Sequence, residues 1–219
     1  MARNTLTTTA ATLTATAALL LTACGSGGDD SSQGDPKGAE TETSSPSASE
    51  SPSPSSRHGA DRPVIKLPSS FRLTFEDWKS SDAEQQSALE DAREELRAGY
   101  AAIIADDPDS ESVAFYDTGS GRSQSKKWIK SYTDKNVTVV GKLPVFDPKV
   151  TLLHDGRTAS LGYCTDESEA YTKHRETGKV EGNPEGMDPQ VYYRVTLRKS
   201  SQGVWQNDSV RSERGDCAK

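Results

Sequence analysis

The sequence lacks any apolar run of the ~18 residues that an ordinary membrane-crossing helix needs, so no such span is expected. Histidine is scarce, with three in 219 residues, and no two stand at the i, i+4 spacing of a helical metal site. Apolar side chains make up only 32% of the chain, against about 45–50% in an ordinary globular protein, so part of it lies outside any core. Aromatic residues are missing from the first 70 positions; all of them fall between Phe71 and Trp205. An excess of positive charge is absent too: 26 Lys and Arg stand against 33 Asp and Glu, a net charge of −7. Neutralising phosphates takes clustered basic side chains, so a nucleic-acid surface is excluded. No Gly-x-Ser-x-Gly or phosphate-loop motif occurs, and no cofactor is indicated.

What is present begins with an address. Arg3 is the only charge before Asp29, and Leu13 to Leu21 contains only Leu, Ala and Thr. A basic start, a short apolar middle and small residues before a cleavage point describe an export signal over residues 1–23. Its end, Leu21-Thr22-Ala23-Cys24, resembles the lipobox of bacterial lipoproteins: an aliphatic residue, two small ones, then cysteine. The resemblance implies that Cys24 is acylated and becomes the first residue. Membrane lipid is then a partner, and the chain lies anchored on the extracytoplasmic face of the cell membrane.

Residues 24–62 read as a tether. Positions 25–62 hold 11 Ser, 6 Gly and 4 Pro, with Ala39, Ala48 and Ala60 as the only aliphatic side chains. Such a segment buries too little surface to offset its ordering entropy. As a flexible coil it spans about 35 Å.

Residues 64–219 form the single globular domain expected here. Leu89, Ala92, Leu96, Tyr100 and Ile103 recur at three- and four-residue steps, predicting a helix over 82–105. Ser81 or Asp82 caps its start, and Asp106-Asp107-Pro108 ends it. A shorter helix is predicted over Ser123–Tyr132, with Trp128, Ile129 and Tyr132 inward, and Phe75 and Trp78 are placed in a turn before the long helix. After Asn136 the period becomes two. Strands are predicted over 137–140, 150–153, 158–164, 191–197 and 204–210, with His154-Asp155-Gly156-Arg157 as a hairpin turn. Asp166 to Gln190 reads as a long polar loop, with Tyr171 and Lys173-His174-Arg175 as a contact surface. Helices followed by antiparallel strands give an α+β domain, its N-terminal helices packed on a curved antiparallel sheet.

The segment Glu90-Asp-Ala-Arg-Glu-Glu-Leu-Arg-Ala-Gly-Tyr100, the segment Lys127-Trp-Ile-Lys-Ser-Tyr132 and the hairpin-rich second half resemble the nuclear transport factor 2-like, or cystatin-like cone, fold as found in small actinobacterial lipoproteins. That resemblance implies a cone whose open end holds a small apolar ligand. In enzymes of this fold a buried Asp, His or Tyr acts as acid or base; Tyr100, Tyr116, Asp117 and Tyr132 are the positions here for such a cavity, or for simple core filling.

The remaining motifs are weak. With Cys24 assigned to lipid, Cys164 and Cys217 are left, and two cysteines in an exported domain most often pair. The bridge closes a loop of ~54 residues, worth about 4 kcal/mol by chain entropy; two free thiols are the alternative. Asp107, Asp109 and Glu111 imitate a calcium loop, but Ser112 and Thr118 stand where Gly and Glu are needed. Ser123-Gln-Ser-Lys126 lacks the companion motifs of penicillin-binding enzymes. Gly119-Ser-Gly121 offers backbone N–H groups to an anion or is an ordinary turn. No catalytic residue and no metal ligand is assigned. Three functions follow in order: a non-catalytic interaction or binding module at the cell envelope, a binder of a small apolar ligand, and an isomerase- or dehydratase-type enzyme.

Overall fold

The computed structural model describes residues 60–217. Cys24, the signal segment and the tether up to residue 59, His58 included, lie outside the described residues. The stretch entering the domain, assigned above to the tether, is already attached at Arg62, whose guanidinium donates to the Asp91 carboxylate at 2.8 and 3.1 Å.

The long helix α1 runs Ala83–Ala105. Of the two candidate caps the fold uses Asp82, whose carboxylate accepts from the Gln85 N–H at 2.8 Å. At the other end Asp106 takes the left-handed conformation (φ 61°), its N–H is donated to the Ile103 carbonyl, and Arg175 donates to the carbonyls of Ile103 and Ile104. The expected stripe of Leu89, Ala92, Tyr100 and Ile103 is buried.

Several elements differ from expectation. Phe71–Phe75 is a strand, β1, rather than part of a turn. Phe71 and Leu73 point into the core, and the strand runs parallel to the next one. Trp78 follows it and donates its indole N–H to the Leu89 carbonyl at 2.7 Å. The acidic stretch after α1 leads into a short helix, α2 (Glu111–Tyr116), and Asp109 is paired with Lys126. No group of acidic, His or Cys side chains arranged to hold a metal is found among the described residues.

Helix α3 spans Gly119–Thr133 and begins before the predicted Ser123. Gly119 and Gly121, read as a turn, are its first residues, and they are small because β7 (Trp205–Arg214) lies against them. A Cβ on Gly121 would stand 2.2 Å from the Asn207 carbonyl oxygen, which also accepts from the Thr118 N–H at 2.9 Å. Gly119-Ser-Gly121, offered above as an anion site or an ordinary turn, is thus the first turn of α3 packed against β7.

The two strands predicted at 137–140 and 150–153 are one 16-residue strand, β2 (Val137–Leu152). Pro144 and Pro148 look like breakers in sequence. Pro144 lies opposite Thr74 of β1, and Pro148 sits in a bulge between Phe146 and Lys149, where Asp147 has φ 51°. β3 (Thr158–Asp166) returns through the predicted hairpin; the Asp155 carboxylate accepts from the Arg157 and Thr158 N–H groups at 3.0 and 2.9 Å. The supposed polar loop contains β4 (Ala170–His174) and β5 (Val180–Glu181). They lie at the sheet edge, where a half-solvated strand carries polar residues. Arg175 is committed to capping α1 and the His174 Nδ1 accepts from the N–H groups of Glu176 and Thr177, while Tyr171 and Lys173 stay exposed.

With β6 (Gln190–Lys199) the strands form one seven-stranded sheet in the order β5-β4-β2-β3-β6-β7, with β1 beside β2. All pairings except β1–β2 are antiparallel. The helices cover one face of this curved sheet, as the α+β expectation required: α1 packs on β2 and β7, and α3 on β7 and α1. The core lies between the layers and includes Ile103, Ile129, Leu161, Val145 and Trp205. On β3, Ala159, Leu161 and Tyr163 enter that core, so the alternating Cys164 faces the other side. There it is bonded to Cys217, with Cα atoms 5.9 Å apart, which staples the end of the chain to a central strand. None of the described helices is long and apolar enough to cross a membrane.

The Gly121 contact is with backbone, which has no side chain to swing away. Gly121→Ala should therefore destabilise the domain by about 2–3 kcal/mol, read as a lowered urea midpoint. An unchanged midpoint would mean that α3 does not rest on β7 in this register.

Candidate functional site

A cavity of about 230 Å³ lies between α1, α3 and strands β3, β6 and β7. Each element contributes by its own period. α1 supplies Glu95, Leu96 and Tyr100; α3 supplies Ser125 and Trp128, three residues apart on one face. Tyr163 and Thr165 alternate on β3, Tyr193 and Val195 on β6, and Asn207 comes from β7. The walls are aromatic: Tyr163 and Tyr193 stack with ring centres 5.1 Å apart, and Tyr100 meets Trp128 edge-on at 5.1 Å. Arg211 and Gln124 stand at its solvent-exposed margin.

The inner end is polar. Asn207, 3% exposed, donates from Nδ2 to the Glu95 carboxylate at 3.4 Å. Asp117, fully buried between α2 and α3, lies close enough to repel the charge on Glu95. Neither Asp117 oxygen has a well-formed hydrogen bond, and the Asn207 Oδ1 is likewise unpartnered. Burial pushes the Asp117 carboxyl up to about 6, against partial relief from Ser125, Asn207 and Arg122. Burial, then the Asp117 charge, holds Glu95 well above the usual carboxylate range, with Asn207 opposing. Burial thus makes both carboxyls harder to ionise than an ordinary Asp or Glu, and the charge of one opposes ionisation of the other.

The predicted aromatic positions divide. Tyr100 lines this cavity and also a smaller one of about 110 Å³, whose lining includes Tyr132 and Tyr171. Tyr171 is 38% exposed and its ring covers Gly182. Tyr116 lines neither; it is buried near Asp91 and Arg62 with its hydroxyl unpartnered. Asp117 lies behind Asn207 and Ser125 rather than on the cavity surface. Sequence reasoning passed over Glu95, Asn207, Tyr163 and Tyr193 as site residues. The available signal for Glu95 was its i, i+4 spacing from Asp91 beside the apolar stripe; for Tyr193 it was the alternation already seen on β6.

No family model matches the chain, and no curated protein matches it. Among solved structures, similarity is found to the intermembrane space region of the chloroplast protein ARC6, 12% identical, covering 63% of this chain and all (100%) of that one with a TM-score of 0.42. A ketosteroid isomerase-like protein from Erwinia carotovora atroseptica is 16% identical over 62% of this chain and 98% of its own, with a TM-score of 0.43. The protein Aln2 from a Streptomyces species is 16% identical over 58% and 90%, with a TM-score of 0.41. At these TM-scores, what the site does is argued from its own geometry.

The Asp117 shift has a definite sign. Below about pH 4 the carboxyl is protonated both folded and unfolded, so its burial costs nothing; as pH rises from the ordinary value of 3.8 through about 6 the unfolded chain ionises first and stability falls. Asp117→Asn removes that cost. It should stabilise the protein by on the order of 2–3 kcal/mol at pH 7.5 and by little at pH 4, measured by denaturant titration at both values. Equal effects at the two pH values would show that Asp117 is not held protonated.

Proposed function

We propose that the protein is an extracytoplasmic lipoprotein, anchored through acylated Cys24, whose cone binds a small, largely apolar ligand. The observation that carries the ligand reading is the aromatic cavity between helices and sheet, built from Tyr100, Trp128, Tyr163 and Tyr193. Its volume of about 230 Å³ lies just under the ~300–1,000 Å³ range of ordinary small-molecule sites, and Glu95 and Asn207 meet at its inner end. This favours the ligand binder over an interaction module that works only through its outer surface. The lipobox Leu21-Thr22-Ala23-Cys24 and the Ser/Gly/Pro-rich segment after it support the anchor. The tether then gives the domain reach beyond the bilayer without a membrane span.

A second reading, an acid–base enzyme of isomerase or dehydratase type, is favoured by one observation: the Glu95 carboxyl lines the cavity, and burial raises its affinity for protons above that of an ordinary carboxylate. In that role Glu95 is the group that touches substrate, and Asn207 positions it.

Native mass spectrometry on the full chain from its host should find a bound small hydrophobic molecule. Val210→Phe, which fills the cavity from β7, should abolish its recovery. Repeated absence of any adduct from the unaltered chain would count against the ligand reading. For the anchor, Cys24→Ser should move the protein from the membrane to the soluble fraction; continued retention in membranes would refute lipidation at that position.

A further inference from the structure

The inner end of the cavity holds the Glu95 carboxyl beside buried Asn207, and no basic side chain stands there. The Glu95 carboxylate accepts one weak bond, from Asn207 Nδ2 at 3.4 Å. The Oδ1 of that same buried Asn207 has no well-formed hydrogen bond, and behind it fully buried Asp117 is only partly relieved by Ser125, Asn207 and Arg122. Unpaired buried acceptors are costly, and a lining that leaves them so is complementary to something that brings donors. Among the lining residues the only basic side chain is Arg211, on the exposed margin of β7, so no protein cation balances the two inner carboxyls from within the cavity. Next to this acidic end stand aromatic rings, whose π-faces attract positive charge.

We propose that the ligand is an organic cation, a protonated amine on a small apolar body, with Glu95 as its counter-ion and Trp128, Tyr163 and Tyr193 around the apolar part. This rests on the reading of the cavity as a ligand site and adds the ligand's charge. A neutral hydrocarbon leaves the inner acceptors unpaired, and an anion meets a carboxylate. An ammonium group supplies donors and the opposite charge that lets Glu95 ionise despite its burial, and the aromatic walls solvate its body.

Three isosteric probes separate the possibilities on the full chain: 2-phenylethylammonium, propylbenzene and 3-phenylpropanoate, a cation, a neutral molecule and an anion of nearly one shape. Titration calorimetry should give the cation a Kd at least about tenfold below that of propylbenzene, with the anion weakest. Glu95→Gln should erase the advantage of the cation while leaving propylbenzene affinity nearly unchanged, and Glu95→Asp, which retains the charge, should keep part of it. Propylbenzene binding as tightly as the amine, or Glu95→Gln keeping the full preference, overturns the charge assignment and leaves the ligand cavity standing. Failure of all three probes to bind overturns both readings. A folded Glu95→Gln protein is verified by an unchanged far-UV spectrum and a cooperative melt; if that variant does not fold, the ranking of the three probes on the unaltered chain decides alone.

Discussion

Two carboxylates on α1, Asp91 and Glu95, meet two residues of β7, Trp205 and Asn207, and the rest of the helix–sheet arrangement depends on that docking. The geometry is a coincidence of two periods: four residues of helix advance about 6 Å, and two residues of strand about 7 Å. One helical turn of acids therefore matches one same-face step of a strand. Asp91 accepts the Trp205 backbone N–H at 2.9 Å and also holds Arg62, so it fixes β7, α1 and the entering chain together. A buried charge so placed is costly unless fully partnered, and Asp91 is. Glu95, one turn on, has only Asn207.

That difference between neighbouring turns makes one acid structural and the other available. Around Asp91 the space is closed by Trp205, which is fully buried. Around Glu95 the helices and strands leave a cavity, and Asp117 adds a second acid behind Asn207. Gly119 and Gly121 let α3 approach β7 closely enough to bring Ser125 and Asp117 to this place. A residue with a side chain at either position would push α3 outward, and the polar end of the cavity would open to water.

Much of the layout was legible in the sequence because it is written in short-range period. The stripe on α1, the Asp-Gly hairpin and the alternation of Val191, Tyr193, Val195 and Leu197 each translate directly into the element found. The errors have a common cause. Pro144, Pro148, Gly119 and Gly121 carry local signals for breaks and turns, and in each case pairing with a distant segment overrode the local preference. β4 and β5 escaped notice because edge strands with a solvated face have little apolar content. The site was less legible than the fold: Tyr100 was singled out, whereas Glu95 and Asn207, separated by more than a hundred positions, look like ordinary surface polar residues in sequence.

The sequence alone determined the class of the domain, the contrast in composition between the first 62 residues and the rest, the inward face of each main element and the supply of two cysteines for one bridge. These follow from composition and from periodicities of two and 3.6, which any short window displays. Tertiary structure alone decided which polar side chains are buried together, that Cys164 faces away from the helices, and that Glu95 looks into a cavity while Asp91 is sealed. The reason is physical: the cost of burying a charge depends on every group that surrounds it, and those groups are brought together only when distant segments pack.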